Sequence, residues 1–218
     1  MSPKPDDAAR KKPVDMTEQS AAELDMILRK FLETRRVILE AAAEAVASSL
    51  RAGGKVLIFG NGGSAAESQH FAAELVNGLS RRDRPALPAV ALTTDTSCLT
   101  AIGNDRGFDD LFGRQIEALG APGDVAVALT TSGRSPNIVK ALRTARAKGL
   151  LTVGLTGDEA SQIAPLADYL LDVPSCSTPR IQEAHLFILH LIAERLESGV
   201  SERAERVKFS DRQTRGLS

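Results

Sequence analysis

The sequence has no tryptophan, only two cysteines, almost no net charge and no long apolar run. A net charge of −1 lacks the basic surplus that proteins binding the nucleic-acid backbone normally carry. No segment approaches the roughly 18 consecutive apolar residues that a membrane-spanning helix needs. Cys98 and Cys176 lie far apart and form no CxxC motif, so we expect free thiols in a reducing compartment. These absences favour a cytoplasmic protein that binds neither nucleic acid nor membrane.

The chain of 218 residues has the length of one α/β domain with appendages. Residues 1–15 are rich in proline and charge and have no apolar core, which predicts a disordered tail rather than a signal peptide. Residues 16–198 show no linker and no internal repeat, so we expect a single domain there. Residues 199–218 are mostly polar, and we expect this C-terminal extension to lengthen the last helix.

Apolar residues recur at helical spacing from Met16 to about Ala52, where Gly53 and Gly54 end the pattern. This segment predicts one long helix or two consecutive ones, packed either across the domain or against a second subunit. Five continuously apolar segments then alternate with helical patterns. The predicted strands are 55–60, 88–94, 124–130, 151–156 and 168–173, and the predicted helices are 64–78, 109–119, 136–148 and 179–198.

This alternation is typical of a parallel sheet that is buried on both faces. The fold class is therefore α/β, and we predict a three-layer sandwich around a five-stranded parallel sheet with flavodoxin-like strand order. The N-terminal helical arm precedes this sandwich. In such sheets, ligands bind beyond the carboxyl ends of the strands.

Two loops rich in glycine and hydroxyl groups follow the first and third strands. In "GNGGSAAE", Gly60, Gly62 and Gly63 allow a tight turn before a helix that we expect Ser64 to cap. The hydroxyl residues of the second loop, "TTSGRSPNI", are Thr130, Thr131, Ser132 and Ser135. Helix N-termini offer unpaired N–H groups and a partial positive charge, so both loops predict anion binding. Either loop alone is also typical of an ordinary βα turn.

Neither loop has the full pattern of a nucleotide site. Gly60, Gly62 and Ala65 formally satisfy G-x-G-x-x-A, but no acidic residue ends the next strand, and the first candidate is Asp95. Neither loop contains the Gly-Lys-Ser/Thr triplet of a P-loop. The two loops therefore argue against a nucleotide site.

Four polar side chains on the predicted helices are candidates for a functional site: two histidines, a glutamate and a glutamine. His70 and Glu74 are four residues apart and share a helix face, which suits a site and is also typical of a weak surface pair. Gln182 and His190 are about 80° apart around the last helix and roughly 12 Å apart along it. His190, within "FILHLI", also fits the pattern of a core histidine. We expect His185, which faces another direction, to be structural.

Four motifs in the sequence resemble those of the phosphoheptose isomerases of the SIS domain family. They are "GNGGSAAESQHFAAEL", "ALTTDTSCLTAIGNDRGFDDLFGRQIEALG", "GDVAVALTTSGRSPNI" and "TPRIQEAHLFILH", and the likeness spans about residues 20–198. The resemblance implies conversion of sedoheptulose 7-phosphate to D-glycero-D-manno-heptose 7-phosphate, the first step of ADP- and GDP-heptose biosynthesis. It also implies a homotetramer with active sites at subunit interfaces and, in some members, a zinc ion.

The same resemblance implies roles for individual residues. Glu74 aligns with the general base and His190 with its acid–base partner. The residues that align with the zinc ligands are His70, Glu74, Gln182 and His190. The residues that align with the phosphate and sugar contacts are Asn61, Gly62, Gly63, Ser64, Glu74, Asp105, Thr131, Ser132, Ser135 and Gln182. Thr130 stands where serine is usual in the family, and the hydroxyl is retained.

Two non-enzymatic proteins of the same fold are alternatives. An adaptor of the bacterial replication initiator shares the architecture without the catalytic pair, whereas this chain has both Glu74 and His190. A sugar-phosphate-sensing domain is usually fused to a DNA-binding module, and no helix-turn-helix is evident here. The isomerase is favoured because a 1,2-proton shift through an enediol needs both a base and an acid–base partner.

Overall fold

The computed structural model describes residues 15–81, 83–159 and 162–215. The strands are β1 (Val56–Gly60), β2 (Ala89–Ala91), β3 (Val125–Thr130), β4 (Leu151–Thr156) and β5 (Tyr169–Asp172). The helices are α1 (Met16–Arg51), α2 (Gly63–Asn77), α3 (Thr96–Asp105), α4 (Leu111–Leu119), α5 (Pro136–Ala147) and α6 (Thr178–Arg215). Two short 3₁₀ helices are Phe108–Asp110 and Ala164–Leu166. The tail predicted for residues 1–15 lies outside the described residues except for Asp15, whose side chain caps α1.

The five strands form one parallel sheet with the order β2-β1-β3-β4-β5. This confirms the predicted α/β class and the flavodoxin-like order. Every residue of β1 and β3 is buried, which is why these segments are continuously apolar. Since β1 and β3 are neighbours in register, with Val56 opposite Val125, the two loops that follow them meet at one edge of the sheet.

Helices cover both faces of the sheet and give the predicted three layers. One core lies between the sheet and α1, α2 and α6, and the other lies between the sheet and α3, α4 and α5. The arm α1 is a single helix that packs across the domain on β5 and α6, with Phe31 fully buried. Arg35 on α1 donates to both carboxylate oxygens of Asp172 on β5, at 2.6 and 2.8 Å. This pairing holds the pKa of Asp172 below its ordinary value.

The structure differs from the predicted elements at several boundaries. Helix α3 was not predicted, because "TSCLTAIGND" carries few apolar positions, although Asp95 caps it by accepting from the Cys98 N–H at 2.9 Å. The helix predicted over 109–119 is a 3₁₀ turn followed by α4. Strand β2 is shorter than 88–94 because the chain turns after Ala91, whose carbonyl accepts from the Thr94 hydroxyl at 3.1 Å.

Helix α6 runs on to Arg215, so the predicted C-terminal extension is helical as far as the structure describes it. Across the described part of the chain, every helix is too short or too polar to cross a membrane.

Candidate active site

The two loops after β1 and β3 are joined by a pair of asparagines. The side-chain amides of Asn61 and Asn137 each donate to the other's oxygen, at 3.0 and 2.9 Å. Gly62 and Gly133 have φ values of +57° and +63°, a region that favours glycine, so each loop turns where a side chain would be strained. The sequence pattern did not single out Asn137, which follows Pro136 at the start of α5.

Helix α2 begins one residue earlier than predicted, and this changes the role of Ser64. The helix starts at Gly63 with Gly62 as its N-cap, so the prediction that Ser64 caps it is wrong. Ser64 is instead buried in the first turn, next to the side chain of Glu67. Burial raises the pKa of Glu67 to about 7, although a hydrogen bond from Ser64 opposes the shift. Within the described chain, Glu67 Oε2 is buried without a hydrogen-bond partner.

The second loop lines a polar cavity of about 190 Å³ at the carboxyl end of the sheet. Ser132 Oγ accepts from the Arg134 N–H at 3.3 Å, and the Thr130 and Ser135 hydroxyls lie 3.5 Å apart. The residues lining the cavity are Thr131, Ser132, Arg134, Asp158, Glu159, Ser175, Cys176 and Thr178. The predicted Thr131 and Ser132 contacts therefore face a recess that is large enough for a small polar group.

His70, Glu74 and His190 form a cluster, which we call the histidine–carboxylate cluster. Glu74 Oε1 lies 2.8 Å from His70 Nε2 and 3.3 Å from His190 Nε2, and the two ring nitrogens are 3.0 Å apart. The Glu74 side chain is only 10% exposed, whereas His70 and His190 are 48% and 34% exposed. The cluster thus combines a buried carboxylate with two partly exposed imidazoles.

The donor set of this cluster fits a metal ion. Zn²⁺ ligands at about 2.0–2.1 Å in tetrahedral geometry lie roughly 3.3 Å from one another. The three ligand atoms of the cluster are 2.8–3.3 Å apart and can all face one point. Glu74 Oε2 is buried without a hydrogen-bond partner among the described residues, so the carboxylate is not fully satisfied by the protein alone. Two imidazoles and one carboxylate are common zinc ligands.

Gln182 lies beside the start of α2, next to Gly63. A Cβ added to Gly63 would collide with the side-chain amide of Gln182, so the missing side chain makes room for this glutamine. Asp105 lies exposed at the end of α3, where its Oδ1 accepts from the Asn104 amide at 2.8 Å. No hydrogen bond or ion pair in the described structure joins Asp105 to the histidine–carboxylate cluster.

His185 is fully buried, in agreement with the prediction that it is structural. Burial lowers its pKa to about 4, although the backbone of Thr156 acts in the opposite direction. The ring is therefore neutral near pH 7 and belongs to the core.

Sequence reasoning did not single out Glu67. Its position seven residues before Glu74 nevertheless puts both carboxylates on one face of α2, and this spacing is the signal that could have identified it.

Comparisons with known proteins show the family of this chain. The family model described as SIS domain matches residues 20–157. A phosphoheptose isomerase of Bradyrhizobium sp. (strain ORS 278) is 54% identical over 194 residues, covering 83% of this chain and 98% of the relative. Another, of Burkholderia pseudomallei (strain 1710b), is 49% identical over 183 residues, covering 83% of this chain and 92% of the relative. The solved phosphoheptose isomerase of Neisseria gonorrhoeae superposes with a TM-score of 0.78 at 41% identity, covering 84% of this chain and all of that one.

Proposed function

Since the chain belongs to the phosphoheptose isomerases of the SIS domain family, we propose that it converts sedoheptulose 7-phosphate to D-glycero-D-manno-heptose 7-phosphate. This is the first step of ADP- and GDP-heptose biosynthesis. The observation that carries the proposal is the 3.3 Å separation between Glu74 Oε1 and His190 Nε2. A carboxylate and a partly exposed imidazole lie side by side, as proton transfer between adjacent carbons requires of a base and its acid–base partner.

Glu74 acts as the general base. It takes a proton from C1 of the ketose and returns it to C2 of the enediol, which produces the aldose. His190 donates a proton to the C2 carbonyl oxygen and accepts one from the C1 hydroxyl, so the proton count balances. Its exposed fraction of 34% leaves the ring accessible to the substrate. A neutral imidazole has one nitrogen that can donate a proton and one that can accept one.

The two loops hold the phosphate and the sugar chain. We assign these contacts to the residues at the two loops, together with one residue of α3 and one of α6: Asn61, Gly62, Gly63, Ser64, Thr131, Ser132 and Ser135, with Asp105 and Gln182. Support comes from the adjacency of the loops and from the polar cavity beside Thr131 and Ser132. Fixing the phosphate at a distance from C1 keeps the reacting carbons near Glu74, which lowers the entropic part of the barrier.

We also propose that His70, Glu74, Gln182 and His190 hold a zinc ion. The support for this site is the convergence of one ligand atom each from His70, Glu74 and His190. Gln182 is included because the family resemblance implies it. When bound, the ion supplies polarisation of the substrate carbonyl. Calorimetric titration of the metal-free protein with Zn²⁺ tests this, with His70→Ala as the variant expected to lose binding.

The proposed assembly is a homotetramer of domains spanning residues 16–198, with active sites at subunit interfaces. Exposed Asp105 supports this, because no hydrogen bond or ion pair of the described structure joins it to the histidine–carboxylate cluster of its own chain. A cytoplasmic location is supported by the free thiols of Cys98 and Cys176.

The adaptor and the sensing domain are not favoured. A non-catalytic adaptor does not need a carboxylate and two imidazoles at contact distance. In addition, the relatives at 49% and 54% identity are phosphoheptose isomerases. The deciding experiment follows sedoheptulose 7-phosphate by NMR with the purified protein. We expect the aldose signals of the heptose 7-phosphate to appear, and no conversion at high enzyme concentration would reject the proposed reaction.

A further inference from the structure

A buried ion pair lies between the two helices that carry the histidine–carboxylate cluster. Glu197 is on α6, seven residues after His190, so the two side chains project from one face of that helix two turns apart. Arg84 lies in the segment that follows α2. Its Nε donates to Glu197 Oε1 at 3.1 Å, and the two side chains are only 2% and 4% exposed.

The guanidinium of Arg84 has a second partner that connects it to the catalytic carboxylate. Its Nη2 donates to the backbone carbonyl of Glu74 at 2.6 Å. This carbonyl lies in the last turn of α2, where it also accepts from the Gly78 N–H at 2.9 Å. One planar side chain therefore links the helix of His190 to the backbone of Glu74.

Glu197 is held in place by more than the arginine. Its carboxylate accepts from the backbone N–H groups of Leu79 at 2.7 Å, Ser80 at 3.1 Å and Arg81 at 3.2 Å. Burial acts to raise the pKa of Glu197, but these N–H groups and Arg84 outweigh it and lower the pKa. The carboxylate therefore stays charged and fixes the segment after α2 against α6.

We propose that Arg84 and Glu197 are positioning residues that set the distance between the general base and its acid–base partner. The inference rests on the proposed function of Glu74 and His190. Neither Arg84 nor Glu197 belongs to the cluster itself. They act by holding α2 and α6 at the spacing that leaves Glu74 Oε1 3.3 Å from His190 Nε2. Misplacing reacting groups by about 1 Å can slow an enzyme roughly 100-fold.

Kinetics of Arg84→Met test the catalytic consequence. We expect kcat to fall by about 10- to 100-fold, with KM changed little, because the phosphate loops follow β1 and β3. Arg84→Lys keeps the charge beside Glu197, so it should recover part of kcat. The control is Lys55→Met, which removes an ion pair with Asp124 (2.6 Å) at the amino ends of the strands. It should lower stability and leave kcat unchanged.

Crystal structures of the same variants test the geometry without any assay. We expect the Glu74–His190 separation to grow in Arg84→Met and to stay near the wild-type value in Lys55→Met. If the Glu74–His190 separation in Arg84→Met equals that of wild type, the proposal is overturned, whatever the activity of the variant. If the separation is larger but kcat is unchanged, the catalytic part of the proposal is overturned. Inactive wild-type protein would reject the proposed reaction while the separation still tests the positioning. If Arg84→Met does not fold, Glu197→Gln is the variant for both measurements.

Discussion

At the scale of single residues, the Glu74 carboxylate has two histidine neighbours at one oxygen and, in the described structure, no hydrogen-bond partner at the other. Glu74 Oε1 contacts His70 and His190, while Oε2 is buried without a hydrogen-bond partner in the described structure. A buried carboxylate left partly unsatisfied is costly unless a ligand completes it. We therefore expect a ligand to complete this carboxylate, and we expect substitutions of Glu74 to affect turnover more than folding.

Replacing Glu74 by glutamine should abolish the base and leave the shape of the side chain. We expect Glu74→Gln to lower kcat by about 10²- to 10⁴-fold, the usual contribution of general acid–base catalysis. Circular dichroism and the thermal midpoint should change little, because Gln fills the same volume. Glu44→Gln, on an exposed part of α1, is the matched control. Turnover by Glu74→Gln at the wild-type rate would remove Glu74 from the mechanism.

The raised pKa of Glu67 predicts a pH dependence of stability. Burial raises its pKa from 4.5 to about 7, so between these values the folded protein binds more protons than the unfolded chain. The free energy of unfolding should therefore fall as pH rises through this window. Glu67→Gln has no carboxyl group to titrate at this position, so its free energy of unfolding should not show this fall. The difference in free energy of unfolding between Glu67→Gln and wild type should therefore increase in favour of the variant by at most about 3 kcal/mol from pH 5 to pH 8.

Urea unfolding of the metal-free protein, at one protein concentration and several pH values, measures this difference. Each variant must be compared with wild type at the same pH, because His185 acts in the opposite direction. Its pKa is lowered to about 4, so its contribution to stability is lost as pH falls from 6.5 toward 4. A stability difference between Glu67→Gln and wild type that does not change with pH would contradict the assignment.

At the scale of elements, α2 and α6 build the site and each depends on the other's sequence. Helix α2 begins with a glycine because Gln182 of α6 occupies the space of a Cβ at position 63. The same two helices are joined further along by Arg84 and Glu197. The site is therefore a property of a helix pair, and a change on one helix should be measurable in groups of the other.

Adding one methyl group at the start of α2 tests this dependence. Gly63→Ala should displace the Gln182 amide and lower kcat/KM by roughly tenfold or more. Stability should change little, because the displaced group is the end of a flexible side chain and alanine favours the helix by up to about 1 kcal/mol. Gly103→Ala in α3 is the control, because among the described residues Leu111 is the side chain that lies within 4 Å of the added methyl. Equal kcat/KM in both variants would show that the position of the Gln182 amide does not affect catalysis.

At the scale of the whole molecule, α1 presents one face to the domain and another to solvent. Met26 and Val37 are 62% and 79% exposed. They are eleven residues apart, about three turns, and so share the outward face. In the proposed homotetramer we expect this face to be covered, since exposed apolar side chains that recur on one face favour association.

A charge on this face should therefore shift the assembly. We expect Val37→Asp to elute as a smaller species than wild type in size-exclusion chromatography with light scattering, with reduced turnover if the sites lie at subunit interfaces. Leu119→Asp, at the exposed end of α4, introduces the same change elsewhere and should leave the mass unchanged. A wild-type mass for Val37→Asp would place the interface on another face.

Local sequence determined the elements and their order. Apolar periodicity is a property of neighbouring residues, so β1, β3, β4 and β5 and the helices α1, α2 and α5 could be predicted to within a few residues. Helix α3 was not predicted, because capping by Asp95, rather than an apolar stripe, defines its start. The N-cap of α2 was misplaced because Gly62, at φ +57°, has no side chain to signal its role.

Only the tertiary structure decided which side chains meet. His70 and His190 are 120 residues apart in sequence, and their contact depends on α2 and α6 packing on the same face of the sheet. Helix geometry alone places His185 and His190 on different faces of α6, but the pattern of one apolar helix does not show how deeply each face is buried. Burial made the first neutral and inert, and the proximity of Glu74 gave the second its partner. The spacing of residues along a chain is local, whereas burial and proximity arise only when distant segments pack together.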